Sequence, residues 1–91
     1  MDQAPHNDIQ LVISPALLEK MDRALLLEED ARRTILYCEK TGVKLLDNDT
    51  GDLVGHLIEG ALTYWVRYNL EGGVYTLCNI YCHRVKIEEN K

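Results

Sequence analysis

The stretch from Leu53 to Ile87 constrains this chain more than any other, because three runs of β-branched and aromatic residues are divided by Glu59-Gly60 and by Glu71-Gly72-Gly73. Such runs, separated by short glycine-bearing turns, predict two consecutive hairpins and hence an antiparallel meander. The strands are expected at about Leu53 to Ile58, Ala61 to Asn69 and Val74 to Ile87. In the middle run Leu62, Tyr64, Val66, Tyr68 and Leu70 alternate with Ala61, Thr63, Trp65, Arg67 and Asn69, the period-two pattern of a sheet with unlike faces. The first set is expected to face a core.

Pairing the runs through those turns assigns the remaining residues. A Gly72-Gly73 turn sets Arg67 against Cys78, Trp65 against Ile80, Thr63 against Cys82 and Leu62 against His83, while a Glu59-Gly60 turn sets His56 against Thr63 and Val54 against Trp65. Tyr75, Leu77, Tyr81, Val85 and Ile87 then join the core face, with Asn79 and His83 as its polar exceptions. The other face is expected to hold Val54, His56, Ile58, Thr63, Trp65, Arg67, Cys78, Ile80, Cys82 and Arg84. A Trp flanked by Val54 and Ile80 and rimmed by two arginines has the anatomy of an interface, an aromatic and aliphatic centre inside an Arg rim.

Ahead of the sheet, Ile9 to Ile13 is a candidate edge strand, and Ser14-Pro15 supplies an N-cap followed by a proline at the first helical position. Leu17, Leu18, Met21, Ala24 and Leu25 recur at helical spacing, opposite Glu19, Lys20, Asp22 and Arg23. Glu28-Glu29-Asp30 suits the first turn of a second helix, where acidic side chains meet the positive end of the helix dipole, and Gly42 suits its left-handed cap. The break between the helices is expected near Leu27. The fold class is therefore α+β: two N-terminal helices packed on a C-terminal three-stranded antiparallel meander, with the Ile9 to Ile13 run available as an extra edge strand. It occupies a single domain over residues 9–87, with flexible tails at 1–8 and 88–91.

Composition narrows the functions open to such a domain. A chain of 91 residues buries roughly 60 to 65% of its unfolded surface, enough for one modest core but not for a large internal cavity. Ten Lys and Arg against fifteen Asp and Glu give a net charge of -5, which opposes binding to a phosphate backbone. No apolar run approaches the ~20 residues of a membrane span, and Met1-Asp2-Gln3-Ala4-Pro5 lacks the basic and apolar regions of a secretion signal. With three cysteines, an odd number without paired spacing, a reducing cytoplasmic setting is expected.

The residues that invite chemistry lean toward bland roles. Cys78 and Cys82 on one strand stand about 13 Å apart at ~3.3 Å per residue, too far to bridge or to chelate together. His56 and Cys82, in one expected row with Thr63 between, are separated by two strand spacings, about 9.5 Å, so a thiol enzyme lacks a base in reach. Asp49-Thr50-Gly51 resembles the active-site triplet of aspartic proteases, but Asp47-Asn48 before it is no apolar strand, and the early helices do not suit that all-β fold. Read as a calcium loop from Asp47, the segment lacks the closing Glu, since the twelfth position is Ile58.

The residues thus favour a non-catalytic role over an enzyme: a small accessory or regulatory protein that binds itself as a homodimer, and another protein, through the Trp65 face. Neither cofactor nor metal is expected, and neither nucleic acid nor membrane is an expected partner. The alternative is a small-ligand or metal-binding module. It would use Asn79, Tyr81 and His83 as a polar pocket under the helices, or His56 with Cys82.

Overall fold

The computed structural model describes residues 9–84. In chain order it has β1 (Gln10–Ile13), α1 (Pro15–Arg23), α2 (Glu28–Thr41), β2 (Lys44–Leu46), β3 (Leu53–Glu59), β4 (Leu62–Glu71) and β5 (Val74–Arg84). The architecture is α+β, with two helices on one face of a mixed sheet ordered β1-β5-β4-β3-β2. That sheet has five strands rather than three. The expected edge strand is present and runs parallel to β5, and Lys44–Leu46 adds a short strand antiparallel to β3 that was not anticipated. The tails expected over 1–8 and 88–91, and the continuation of the last strand through Val85 and Ile87, lie outside the described residues.

Both helices begin and end for local reasons. Ser14 caps α1, its Oγ accepting from the Leu17 N–H at 3.2 Å, with Pro15 at the first position. At the other end Leu25 sits at φ 61°, and the Leu26 and Leu25 N–H groups donate back to the Met21 and Asp22 carbonyls. This is a Schellman stop built on leucine instead of glycine. Leu27 then donates its N–H to the Asp30 carboxylate at 3.0 Å as α2 opens, and Gly42 closes that helix at φ 81°.

The core lies between the helices and one sheet face. Leu17, Met21 and Leu26 meet Ala31 and Ile35 of α2, and together they cover Tyr64, Val66 and Tyr68 of β4 with Leu77 and Ile80 of β5. Along β4 Tyr64, Val66 and Tyr68 face the core as expected, whereas Leu70 at the strand's end is 44% exposed. Gly55 in β3 lets α2 approach closely: a Cβ there would collide with Cys38 Sγ and stand 2.9 Å from the Val43 carbonyl oxygen.

Two register changes alter what surrounds Trp65. The β3–β4 turn falls on Gly60-Ala61, not Glu59-Gly60, with Gly60 at φ 62°. This moves the pairing by two residues, which preserves the faces but sets His56, not Val54, against Trp65. In β5 the pairing runs as expected from Glu71 with Val74 to Tyr68 with Leu77, and then Arg67 pairs with Asn79. Cys78 is an extra residue, a β-bulge. From that point each side chain of β5 faces the opposite way to the expected one, because one residue of slip exchanges the two faces of a strand.

Candidate functional site

The uncovered sheet face carries one organised feature, an aromatic row across three strands. His56 of β3, Trp65 of β4 and Tyr81 of β5 are direct cross-strand partners. Their rings stack, with centroids 4.7 Å apart for His56 and Trp65 and 6.5 Å for Trp65 and Tyr81. His83 meets the edge of Tyr81 at 5.4 Å. The rows on either side are Val54 with Arg67 and Asn79, and Ile58 with Thr63 and His83. Leu45, paired with Val54 from β2, is 76% exposed, and Ile58 is 63% exposed.

The bulge at Cys78 accounts for Tyr81 belonging to this row. Of the residues expected on the face, Val54, His56, Trp65 and Arg67 are there and adjacent. Ile80 is not: it is 2% exposed and part of the core. Arg84 pairs with Leu62, a member of the helix-facing set, and so does not border Trp65. The residues expected beneath the helices have moved the other way. Tyr81, 47% exposed, and the exposed His83 stand on the outer face, so the expected polar pocket under the helices is not formed. Asn79 lies at the bulge, its Oδ1 accepting from Lys20 Nζ of α1 at 3.2 Å.

The thiol alternatives dissolve for the same reason. Cys82 pairs with Tyr64 and packs against the core margin, while His56 belongs to the outer row. Cys78 is exposed at the bulge, with Sγ 3.8 Å from Asp52 Oδ1, and burial together with that carboxylate raises its pKa. Cys38 is 0% exposed, and burial pushes its thiol up to about 11. A raised pKa disfavours the nucleophilic thiolate. Among the described residues no group of three or more His, Cys, Asp or Glu side chains is placed to hold a metal ion.

Arg67 has a different role from an open cationic rim. Its Nη1 donates to Asp47 and Asp52, each at 3.1 Å, and to Thr50 Oγ1 at 3.3 Å, clamping the loop before β3. The Asp49 N–H and Arg67 hold the Asp47 carboxyl below its usual range, and Arg67 does the same for Asp52. The segment spelling Asp49-Thr50-Gly51 is thus part of a clamped turn. By contrast, among the described residues no hydrogen bond engages the Trp65 indole N–H, the Tyr81 hydroxyl or the His56 imidazole. The row presents rings and unmet polar tips together.

No family model, curated protein or solved structure matches the chain. Away from the aromatic row, a shallow groove of about 870 Å³ lies beside β1, lined by Ile9, Leu11, Val12, Glu28, Arg32 and Val74 among others. Arg32 within it already donates to the Ile9 carbonyl at 2.7 Å and to Glu28 at 2.9 Å. No helix among the described residues is long and apolar enough to cross a membrane.

Leu45, Tyr81, His83 and Asn79 are members of the outer rows that sequence reasoning did not assign to them. A signal for Tyr81 was present, since the apolar positions Tyr75, Leu77, Ile80 and Cys82 step by two, then three, then two. That single step of three is the mark of a bulge. Leu45 carried no comparable signal, because a three-residue strand is too short to show a period.

Proposed function

We propose that this chain is a small non-catalytic accessory or regulatory protein that binds another polypeptide through its outer sheet face. The observation that carries the reading is the stacked His56–Trp65–Tyr81 row on a face that neither helix covers. With Leu45, Val54 and Ile58 beside it, the row spans four strands by about five residues, a patch of about 300 Å² at ~4.8 Å between strands and ~3.4 Å per residue. Patches of that size on a monomer are often functional.

The chemistry of the patch suits a protein partner. Aromatic anchors with a polar tip are enriched where one surface buries against another, because the ring gains from desolvation and the tip finds a hydrogen bond. Trp65 is the anchor in this reading, with Tyr81 and His56 as its flanks and Leu45, Val54 and Ile58 as the aliphatic surround. Arg67 contributes the positioning of the loop rather than a charge to the partner. The non-catalytic reading draws on the same geometry, since the Cys82 thiol meets only the backbone carbonyl of His83 and Cys78 meets Asn69, Asp52 and the Thr76 carbonyl, with no imidazole against either thiol.

The test is native mass spectrometry of the protein isolated from its own source, beside a Trp65→Ala version expressed at the same level. The expected result is a bound polypeptide, either another chain or a second copy, that is lost with the indole. Wild-type protein that travels as a bare single chain overturns the reading.

A further inference from the structure

We infer that the occupant of the outer face is a second copy of this chain, laid sheet against sheet with the two Trp65 side chains near a twofold axis. This rests on the reading of that face as a binding surface and adds the identity of what it binds.

Area is the first argument. The aromatic patch alone is well short of the ~800 Å² that each partner contributes to a stable interface of standard size. The whole outer face comes closer: about 35 strand residues at ~4.8 by ~3.4 Å each cover about 570 Å², the size of a weak, reversible interface. A second sheet of the same outline covers it completely. Two such sheets stack about 10 Å apart with their strands near -30°, the ordinary geometry of a β-sandwich.

Charge is the second. A chain with net charge -5 repels its own copies over most approaches. The aromatic half of this face, the rows of Ile58 with Thr63 and His83 and of His56 with Trp65 and Tyr81, carries no carboxylate and no fixed cation. At its end the Arg67 guanidinium is already enclosed by Asp47 and Asp52, so a facing copy leaves no cation without a partner.

Self-complementarity is the third, because a twofold interface must match itself. Stacked rings and aliphatic side chains make little demand on direction. The polar tips are also matched, since the indole N–H only donates whereas imidazole and phenol oxygen also accept. Each copy therefore offers what the other lacks. Trp65 occupies the middle strand of the three that carry the row, so an axis near it sets row upon row.

The experiment is sedimentation equilibrium of the purified full chain alone, from sub-micromolar to high-micromolar concentration, with tryptophan emission recorded on dilution. The chain has one Trp, so its emission reports this face. A monomer–dimer equilibrium is expected, with emission moving to longer wavelength as the dimer dissociates. Trp65→Ala and, independently, Tyr81→Glu should each weaken the dimer at least 30-fold, which is about 2 kcal/mol. Leu18→Glu, on the exposed side of α1, should leave it unchanged. A chain that stays monomeric throughout, or a dimer that persists in both face variants, overturns the second copy. If the lone chain is monomeric but protein from its own source carries a different polypeptide through Trp65, only the second copy fails. If neither preparation carries a polypeptide on that face, the binding reading fails as well.

Discussion

Cys38 Sγ lies against the bare Cα of Gly55, so that α2 and β3 approach more closely than any side chain at residue 55 would allow. The backbone of Gly55 is not in the left-handed region, which makes the requirement one of space alone. Gly55→Ala should therefore cost about 1 to 3 kcal/mol, the usual range for overpacking a filled core. Urea unfolding measures it through the midpoint. Combining it with Cys38→Ala should recover a large part of the loss, since residues in contact couple. A Gly55→Ala protein as stable as wild type would mean that the helix does not lie this close.

The bulge at Cys78 sets which half of β5 faces the core. Deletion of Cys78 restores continuous period-two pairing and turns Ile80 and Cys82 outward while driving Tyr81 and His83 beneath the helices. The expected loss is about 3 kcal/mol or more, on the scale of removing a large core side chain. Cys78→Ser keeps the extra residue, and at an exposed position it should stay within about 0.5 kcal/mol of wild type. Thermal unfolding of the two variants separates the role of the residue count from that of the thiol.

These two positions also show what the sequence could and could not disclose. Helix signals are local: Ser14-Pro15, the acidic turn at Glu28 and the cap at Gly42 each act within a few residues, and each marks a real boundary. The alternation of β4 is likewise intrinsic to one strand. Pairing is not local, and there the reading slipped. Moving the turn from Glu59-Gly60 to Gly60-Ala61 leaves every face unchanged, so hydrophobic pattern alone cannot detect it, yet it exchanges the neighbours of Trp65. The bulge reversed Ile80 and Tyr81 because a tyrosine, apolar in body and polar at its tip, satisfies either face. Gly55, isolated inside a strand, carried a general signal of close approach that the sequence reading left unused. What approaches it becomes clear only with α2 in place.

Leu25 closes α1 in a conformation that leucine rarely adopts. Its left-handed backbone, φ 61°, costs a non-glycine residue roughly 1 kcal/mol, and its side chain is 85% exposed and returns little by packing. The cap is held by its backbone bonds to Met21 and Asp22 and by burial of Leu26 near Met21. Leu25→Gly should thus stabilise the protein by up to about 1 kcal/mol, less whatever the added freedom of the unfolded chain takes back. A lowered melting temperature in that variant would show that Leu25 makes contacts beyond its backbone.

Glu39 joins α2 to the sheet, accepting from Tyr68 Oη at 2.6 Å and from Lys44 Nζ at 2.7 Å. Burial pushes its carboxyl up, but the bonds from Lys44 and Tyr68 outweigh that and hold it below the usual carboxylate range. Burial and the same carboxylate raise the Tyr68 hydroxyl, which stays protonated as the donor. For a carboxyl depressed on folding, the stabilisation is complete above its unfolded value, near 4.3, and is lost as pH falls through the lower folded value. The protein should therefore be steady through neutral pH and lose stability in acid from about pH 4 downward. Tyr68→Phe removes one of the two bonds that hold the carboxyl down, so it should cost about 2 kcal/mol at neutral pH. It should also flatten the acid slope, because the gap between folded and unfolded values narrows. Denaturant unfolding of both proteins at pH 7 and at steps down to pH 3 checks the two effects together. A Tyr68→Phe variant with the wild-type acid slope would place that slope on carboxylates other than Glu39, with Asp47 and Asp52 beside Arg67 the first to examine.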